Sequence, residues 1–558
     1  MIRPRLTLAA ATAAVAVTAV AAQPAGAAPS HDNGKTVPVR LLALNDFHGN
    51  LEPPTGSSGT AVDDNGASVP AGGAAYVAAH IKQLTDRNTL KVAQGDLIGA
   101  SPLISAAYHD EPSVQFMGDI GLTASAVGNH EFDEGLTELK RIQNGGCHPV
   151  DGCSPAGPWK GAKFDYLAAN VLREKTNKPA LKPWTIREIN GVRVGIIGVV
   201  TKTTPNIVTA DGIKGLKFDD EVAAANRSAR ELKKRGVHAM VLLVHEGDQV
   251  VQGSKPNDCG VVPGAGTRIA AEADPDIDVV LAGHTHQQYV CTVKDPNGQP
   301  RLYSSGSSFG RVITQVDLQV DRRTHDIVRS SMKGVNHVVT RDVKPDPGTE
   351  AFVQYWKDKV AATANKKIGT ITAALTRAQS PAGETALGDV IADAQLESVK
   401  DKGAQVAVTN PGGVRTDLVY KDGGTVTYGD AFAVQPFSNI TGVTTLTGKQ
   451  LDDVLEQQWT SAGEKILQPS SGLHFTIDRT RPIGDRVSAI TIDGKPVDPA
   501  ASYKVAANNF LLGGGDGFSV FTQGKDQVLG PIDLDALVNY LGSHSPISPP
   551  ALDRIAGK

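Results

Sequence analysis

Leu41-Leu-Ala-Leu-Asn-Asp-Phe-His48 sets four apolar residues directly ahead of an asparagine, an aspartate and a histidine. A short apolar run that ends in polar residues reads as a buried strand whose carboxyl end carries chemistry. The arrangement recurs four times. Lys91-Val-Ala-Gln precedes Gly95-Asp96, and Ala126-Val127 precedes Gly128-Asn-His-Glu-Phe-Asp133. Val241-Leu-Leu-Val precedes His245-Glu246, and Val279-Val-Leu-Ala precedes Gly283-His-Thr-His286. Ligands of open α/β sheets bind outside the carboxyl ends of the strands. Five strands therefore deliver Asp46, His48, Asp96, Asn129, His245, His284 and His286 to one rim.

Carboxylate, amide oxygen and imidazole together suit zinc, manganese or iron, whereas calcium prefers oxygen alone. The expectation is two divalent ions sharing a carboxylate such as Asp96. A pair of ions about 4 Å apart activates water for in-line attack and clamps a phosphoryl group. Glycines 95, 128 and 283 are expected to turn the chain sharply ahead of the ligands. His130 follows Asn129, and Asp133, three residues on, is placed to orient its ring. A protonated His130 offsets charge on oxygen as a P–O bond breaks. His109, His148, His238 and His337 have no strand end before them and read as surface or structural residues.

Around these motifs the chain has 558 residues, 55 Lys+Arg against 59 Asp+Glu, and 40% hydrophobic residues. That length implies at least two domains. The near-neutral balance excludes the basic face of a nucleic-acid binder, and the composition excludes a multi-span membrane protein. Apolar runs at Val39–Leu44, Lys91–Ala93, Val192–Val200, Ala239–Val244 and Ile277–Ala282 alternate with helical patterns at Gly73–Leu84 and Glu221–Arg235. This defines an α/β region over 37–342. Pro53–Gly73 reads as a long surface loop. A connecting helix, Thr349–Ala364, is expected within 343–367. A second α/β region over 368–558 has helices near Leu387–Lys400 and Gly448–Gln458. Residues 1–28 read as a signal peptide: arginines, the apolar run Leu6–Ala22, then small residues with cleavage after Ala27 or Ala28. Export follows, with no transmembrane segment after cleavage. Four cysteines in an exported chain favour disulfides. Of three connectivities, the sequence-near pairs Cys147/Cys153 and Cys259/Cys291 are preferred.

In the second region Arg415 lies just past the turn Asn410-Pro-Gly-Gly-Val, and arginine grips phosphate with a fixed charge. Phe437 and Phe510 offer aromatic faces for a base, and Asp516 a carboxylate for sugar hydroxyls. From composition alone the two rings read as core residues.

Asp46-Phe-His48, Gly95-Asp96, Gly128–Asp133, His245 and Gly283–His286 together resemble the calcineurin-like metallophosphoesterase signature, in the variant of the exported 5′-nucleotidase family. The resemblance implies a four-layer α/β/β/α sandwich followed by a 5′-nucleotidase C-terminal α/β substrate-binding domain. It implies one metal on Asp46, His48, Asp96 and His286, and another on Asp96, Asn129, His245 and His284, with His130 catalytic. It assigns Asn410, Arg415, Phe437, Asn509, Phe510 and Asp516 to substrate, with the base between the two aromatics, and gives the connecting helix a part in a hinge. Two departures stand out: Ser380–Thr385 holds no arginine where many relatives have one, and Pro411 replaces a glycine. The expected activity is hydrolysis of nucleotides to nucleoside and phosphate. UDP-sugar or 2′,3′-cyclic nucleotide cleavage, hydrolysis of a sulfur compound, and non-catalytic nucleotide binding are the alternatives.

Overall fold

Thr36–Leu44, the strand that carries the first motif, lies inside a six-stranded sheet and from Leu41 onward is apolar and buried on both faces. The computed structural model describes residues 35–208, 212–437, 439–460 and 463–557; the signal peptide expected at 1–28 lies outside them. Val37, Val39, Leu41 and Ala43 point into a core shared with a second sheet. Leu42 and Leu44 point the other way, against Val77, Ala78 and Ile81 of the helix Ala74–Leu84. A strand buried on both faces needs a continuous apolar run rather than alternation, and each fully buried aliphatic side chain contributes roughly 1.5–3 kcal/mol.

The first sheet runs Lys333–Val338, Val312–Asp321, Thr36–Leu44, Thr89–Ala93, Ala124–Ala126, Asp165–Leu167. The second runs Gln288–Lys294, Pro300–Gly306, Val279–Ala282, Ala239–His245, Val192–Val200, Trp184–Ile189. Its outer face, with Ile197, Val199, Leu242 and Val244, is covered by the helices Glu221–Lys234 and Ala265–Glu272. Helix, sheet, sheet and helix make four layers. The strands that end at the rim run parallel within each sheet, Thr36–Leu44 beside Thr89–Ala93 beside Ala124–Ala126, and Ala239–His245 beside Val279–Ala282. Their carboxyl ends therefore meet on one edge.

Local details depart from the sequence expectation in instructive ways. Pro53–Gly73 is not simply a loop: Thr60–Val62 and Ser68–Pro70 pair as a hairpin. Asp63 closes it by accepting the N–H groups of Asn65 and Ala67. The connecting helix spans Pro347–Ala364, two residues longer at its start, because Asp346 caps the N–H of Thr349 and Pro347 suits the first turn. Its Trp356 and Val360 are buried in the first domain's core, so the helix is anchored there. Both expected disulfides are present, Cys147–Cys153 and Cys259–Cys291.

The second domain is built on a five-stranded sheet, Gln468–Pro469, Val406–Thr409, Ser502–Asn508, Ile440–Thr447, Lys525–Ile532. A four-stranded sheet and the helices Ala386–Ser398, Gly448–Glu456 and Asp533–Ser543 complete it. It touches the first domain through polar groups. Arg377 reaches the hydroxyls of Ser57 (3.0 Å) and Ser58 (3.1 Å), while Asp417 accepts the N–H of Ser57 (3.1 Å).

Candidate active site

The two sheets bring the seven rim residues together. His48 Nε2 lies 3.2 Å from His286 Nε2 and 3.6 Å from Asp96 Oδ2, and His286 Nε2 lies 3.4 Å from Asp46 Oδ1. On the other side of Asp96, His245 Nε2 is 3.1 Å from Asp96 Oδ2 and 3.1 Å from Asn129 Oδ1. Two clusters result, Asp46–His48–His286 and Asp96–His245–His284, each with its ligand atoms within 4.8 Å of one another. Asp96 lies between them.

Tautomers decide what these clusters fit. A backbone carbonyl only accepts, so His245 must donate from Nδ1 to the carbonyl of Gln94 (2.7 Å), and His48 from Nδ1 to that of Gly99 (2.8 Å). In its neutral form each ring is thereby left with its Nε2 lone pair turned toward other acceptors. Such an arrangement suits a cation, and an outer carbonyl fixing the ring is how metal-binding histidines are oriented. Burial keeps His48 well below the usual imidazole range. Against a similar burial cost, the Asp96 carboxylate pushes His245 up to about 10. Burial also opposes the charge on Asp96, but His245 and His130 hold its carboxyl well below the usual range. The donor set fits divalent ions of zinc, manganese or iron type.

The turning of the chain falls on the rim residues themselves. Asp46, His48, Asp96, His284 and His286 all have left-handed backbone, with φ of +50°, +46°, +49°, +71° and +58°. Asp and His tolerate this region better than most residues, yet each instance costs on the order of 1–3 kcal/mol. Of the glycines expected to make the turns, Gly95 has φ +89°. Gly128 and Gly283 serve by leaving space: a Cβ would sit 2.1 Å from Asp96 Oδ1 at the first and 3.0 Å from Asp46 Oδ2 at the second.

Glu131 was visible in the sequence only as a letter within a motif. Its buried carboxylate accepts the N–H groups of Asp96 (2.9 Å), Leu97 (2.9 Å) and Gly128. It pins two strand ends at once. Glu131→Gln puts an amide N–H against one of those donors, and is expected to weaken metal affinity by roughly 10- to 100-fold. Metal titration followed calorimetrically would check this; unchanged affinity would show that the carboxylate merely fills space.

Next to the rim, His130 Nδ1 lies 2.8 Å from Asp133 Oδ2. Burial disfavours the charged ring, but Asp133 and Asp96 raise His130 above its ordinary value. Phe437 stacks on His130 at 5.4 Å, and the Arg415 guanidinium lies over Phe437 at 5.6 Å. A cavity of about 220 Å³ opens here between the domains. Asn129, His130, Asp133 and His284 line it on one side, and Asn410, Arg415, Phe437, Phe510 and Asp516 on the other. Asn509 does not line it; its side-chain oxygen accepts the N–H of Ile440 (2.9 Å), while Asn508 caps the turn and bonds Asn410. Sequence reasoning missed Ile207, Val208, Asn439 and Lys465, which also line the cavity. Lys465 pairs with Asp516 Oδ1 at 2.6 Å, and Asn410 Nδ2 donates to Asp516 Oδ2 at 2.8 Å. No motif surrounds Lys465 in the sequence, so nothing there marked it.

This fold and rim define a class, the two-domain metallophosphoesterases. Residues 39–288 match the calcineurin-like phosphoesterase family and residues 360–523 match the 5′-nucleotidase C-terminal domain. The chain belongs to this family, whose chemistry is phosphoester hydrolysis and which implies divalent metals. It is 34% identical over 541 residues to the cell wall protein Lmo0130 of Listeria monocytogenes, covering 91% of this chain and 67% of that protein. It is 33% identical over 515 residues to the endonuclease YhcR of Bacillus subtilis, covering 91% of this chain and 40% of that much longer protein. The crystal structure of a 5′-nucleotidase precursor from Thermus thermophilus superposes with a TM-score of 0.77 at 27% identity, over 93% of this chain and 99% of that one.

Proposed function

We propose that the protein hydrolyses nucleotides to nucleoside and phosphate. The observation that carries this reading is the single cavity in which His130 and the rim face Phe437, Phe510 and Asp516. A phosphate ester at the rim has its organic part in an aromatic, carboxylate-bearing pocket. Asp46, His48, Asp96 and His286 are the residues to hold one divalent ion, and Asp96, Asn129, His245 and His284 a second. When bound, such ions supply Lewis acidity to the phosphoryl group and make water nucleophilic at neutral pH. The protein's own part is orientation and proton handling. Asp133 fixes His130 so that Nε2 is the nitrogen offered to an oxygen of the substrate, and Arg415 adds a permanent positive charge beside it. Phe510 stacks on the base.

Export remains the reading of the N-terminal sequence. Two disulfides support an oxidising compartment, and among the described residues no helix is long and apolar enough to cross a membrane.

The test is product formation, resolved chromatographically, from AMP, ADP, UDP-glucose, 2′,3′-cyclic AMP, a single-stranded oligonucleotide and p-nitrophenyl phosphate, with and without EDTA. Metal-dependent release strongest on AMP is expected. Release from p-nitrophenyl phosphate alone would overturn the nucleotide pocket, and cleavage confined to the oligonucleotide would replace the substrate class. Within the same panel, Phe510→Ala is expected to raise KM for AMP roughly 5- to 150-fold, the equivalent of 1–3 kcal/mol of stacking, and to spare p-nitrophenyl phosphate. Equal effects on both would make the ring structural.

A further inference from the structure

His109 and His148, unremarkable in the sequence, stand together on the surface away from the rim. His109 lies in the turn between the helices Leu103–Ala106 and Glu111–Asp119, with φ +50°. His148 and Asp151 lie in the small ring closed by Cys147–Cys153, where His148 and Gly152 exchange two backbone hydrogen bonds of 2.9 and 3.0 Å. The two imidazoles stack at 3.8 Å, 17° from parallel. Asp151 Oδ2 is 3.0 Å from His109 Nε2 and 3.1 Å from His148 Nδ1.

Hydrogen bonding fixes how the two rings are set. Glu134 Oε2 is 2.8 Å from His109 Nδ1 and Asp151 Oδ2 is 3.0 Å from its Nε2, so each nitrogen of that ring faces a carboxylate oxygen. His148 Nδ1 accepts the N–H of Asp151 at 3.1 Å, which holds that ring beside the Asp151 carboxylate. Two imidazole nitrogens and a carboxylate oxygen thus converge, and an ion there would displace the hydrogen shared by His109 and Asp151 and compete with the Asp151 N–H for His148 Nδ1. A carboxylate behind the first ring completes the carboxylate–histidine–metal pattern. The ligand atoms of His109, His148 and Asp151 lie within 4.8 Å of one another.

We infer that His109, His148 and Asp151 form a further metal site, separate from the rim, that takes a zinc-type divalent ion. Two nitrogens and one oxygen, with water completing the shell, are a zinc-like donor set rather than a calcium one. The disulfide preorganises two of the three ligands. The site's work is structural. It ties the Cys147–Cys153 ring to the turn that carries Asp110, whose carboxylate accepts the N–H of Gly99 (3.0 Å), and Gly99 in turn holds His48. The same ion also fastens Glu134, one residue beyond Asp133.

The chelator-stripped full chain, titrated with Zn²⁺ and counted by elemental analysis after gel filtration, tests this. The unmodified protein is expected to retain one equivalent more than His148→Ala and Asp151→Asn. Each variant should keep its phosphate release from p-nitrophenyl phosphate and melt at a lower temperature than the unmodified protein only when zinc is present. Asp151→Asn keeps both imidazoles and the disulfide, so it decides the matter should His148→Ala fail to fold. Equal zinc content in all three proteins would overturn the site and leave a proton-linked histidine pair in its place.

Discussion

Asp96→Ala is expected to abolish metal-dependent phosphate release and to strip metal from the rim. The Asp96 carboxylate is the one group that both histidine clusters approach: Oδ2 lies 3.6 Å from His48 Nε2 and 3.1 Å from His245 Nε2. Its Oδ1 accepts the backbone N–H of His130 at 2.9 Å, so the substitution also releases the turn that carries His130. Buried imidazoles left without their carboxylate cannot gather a cation as well. The fall in kcat/KM should therefore exceed the roughly 10²–10⁴-fold assigned to one proton-transferring group. Elemental analysis alongside the assay separates the causes. Full activity with unchanged metal content would remove Asp96 from the centre.

His130→Ala should behave differently. It removes a ring that touches the substrate side of the cavity while leaving the two ligand clusters whole. The expected result is a kcat lower by about 10²–10⁴-fold with metal content preserved. Asp133→Asn should show part of the same loss, because it keeps a side chain near Nδ1 but weakens the charge that favours the protonated ring. A His130→Ala enzyme with normal turnover would end the acid–base assignment. One that had lost its metal would instead make His130 a ligand. Its neighbourhood leaves that outcome open to measurement, since His48, Asp96 and His130 also cluster within 4.8 Å.

The fold and the rim could be read from the sequence for the same reason. Parallel strands buried on both faces require unbroken apolar runs, so the abrupt change to Asp, Asn and His at Leu44, Val127 and Ala282 marks both strand end and site. Where a side chain's role depends on its own backbone or on distant partners, the sequence is silent. Left-handed φ at five ligands is not written in their identities. Glu131 serves N–H groups from residues 96 and 97, some 35 positions away, and Lys465 meets Asp516 across 51 residues. The hairpin at Thr60–Val62 was obscured by its Gly- and Ser-rich surroundings. Asn509 and Asn508 are interchangeable in a motif but not in space: one supports the backbone at Ile440, the other reaches Asn410.

The pairing of Thr36–Leu44 with Val312–Asp321 joins residues about 280 positions apart in eight register pairs, from Thr36 with Asp321 to Ala43 with Thr314. Until the later strand has emerged during synthesis, the first stands as an open edge, hydrophobic on both faces over Leu41–Leu44 and able to recruit a foreign strand. So long a loop closure is slow to form and late to be rewarded. The second domain repeats the pattern, since Ile555–Gly557 pairs with Leu473–Ile477, and Glu384 receives the N–H groups of Arg554 and Ile555. Each domain is thus finished by residues near its end, and a chain interrupted before either point would leave a strand edge unpaired and, in the second domain, Glu384 without the N–H groups it receives.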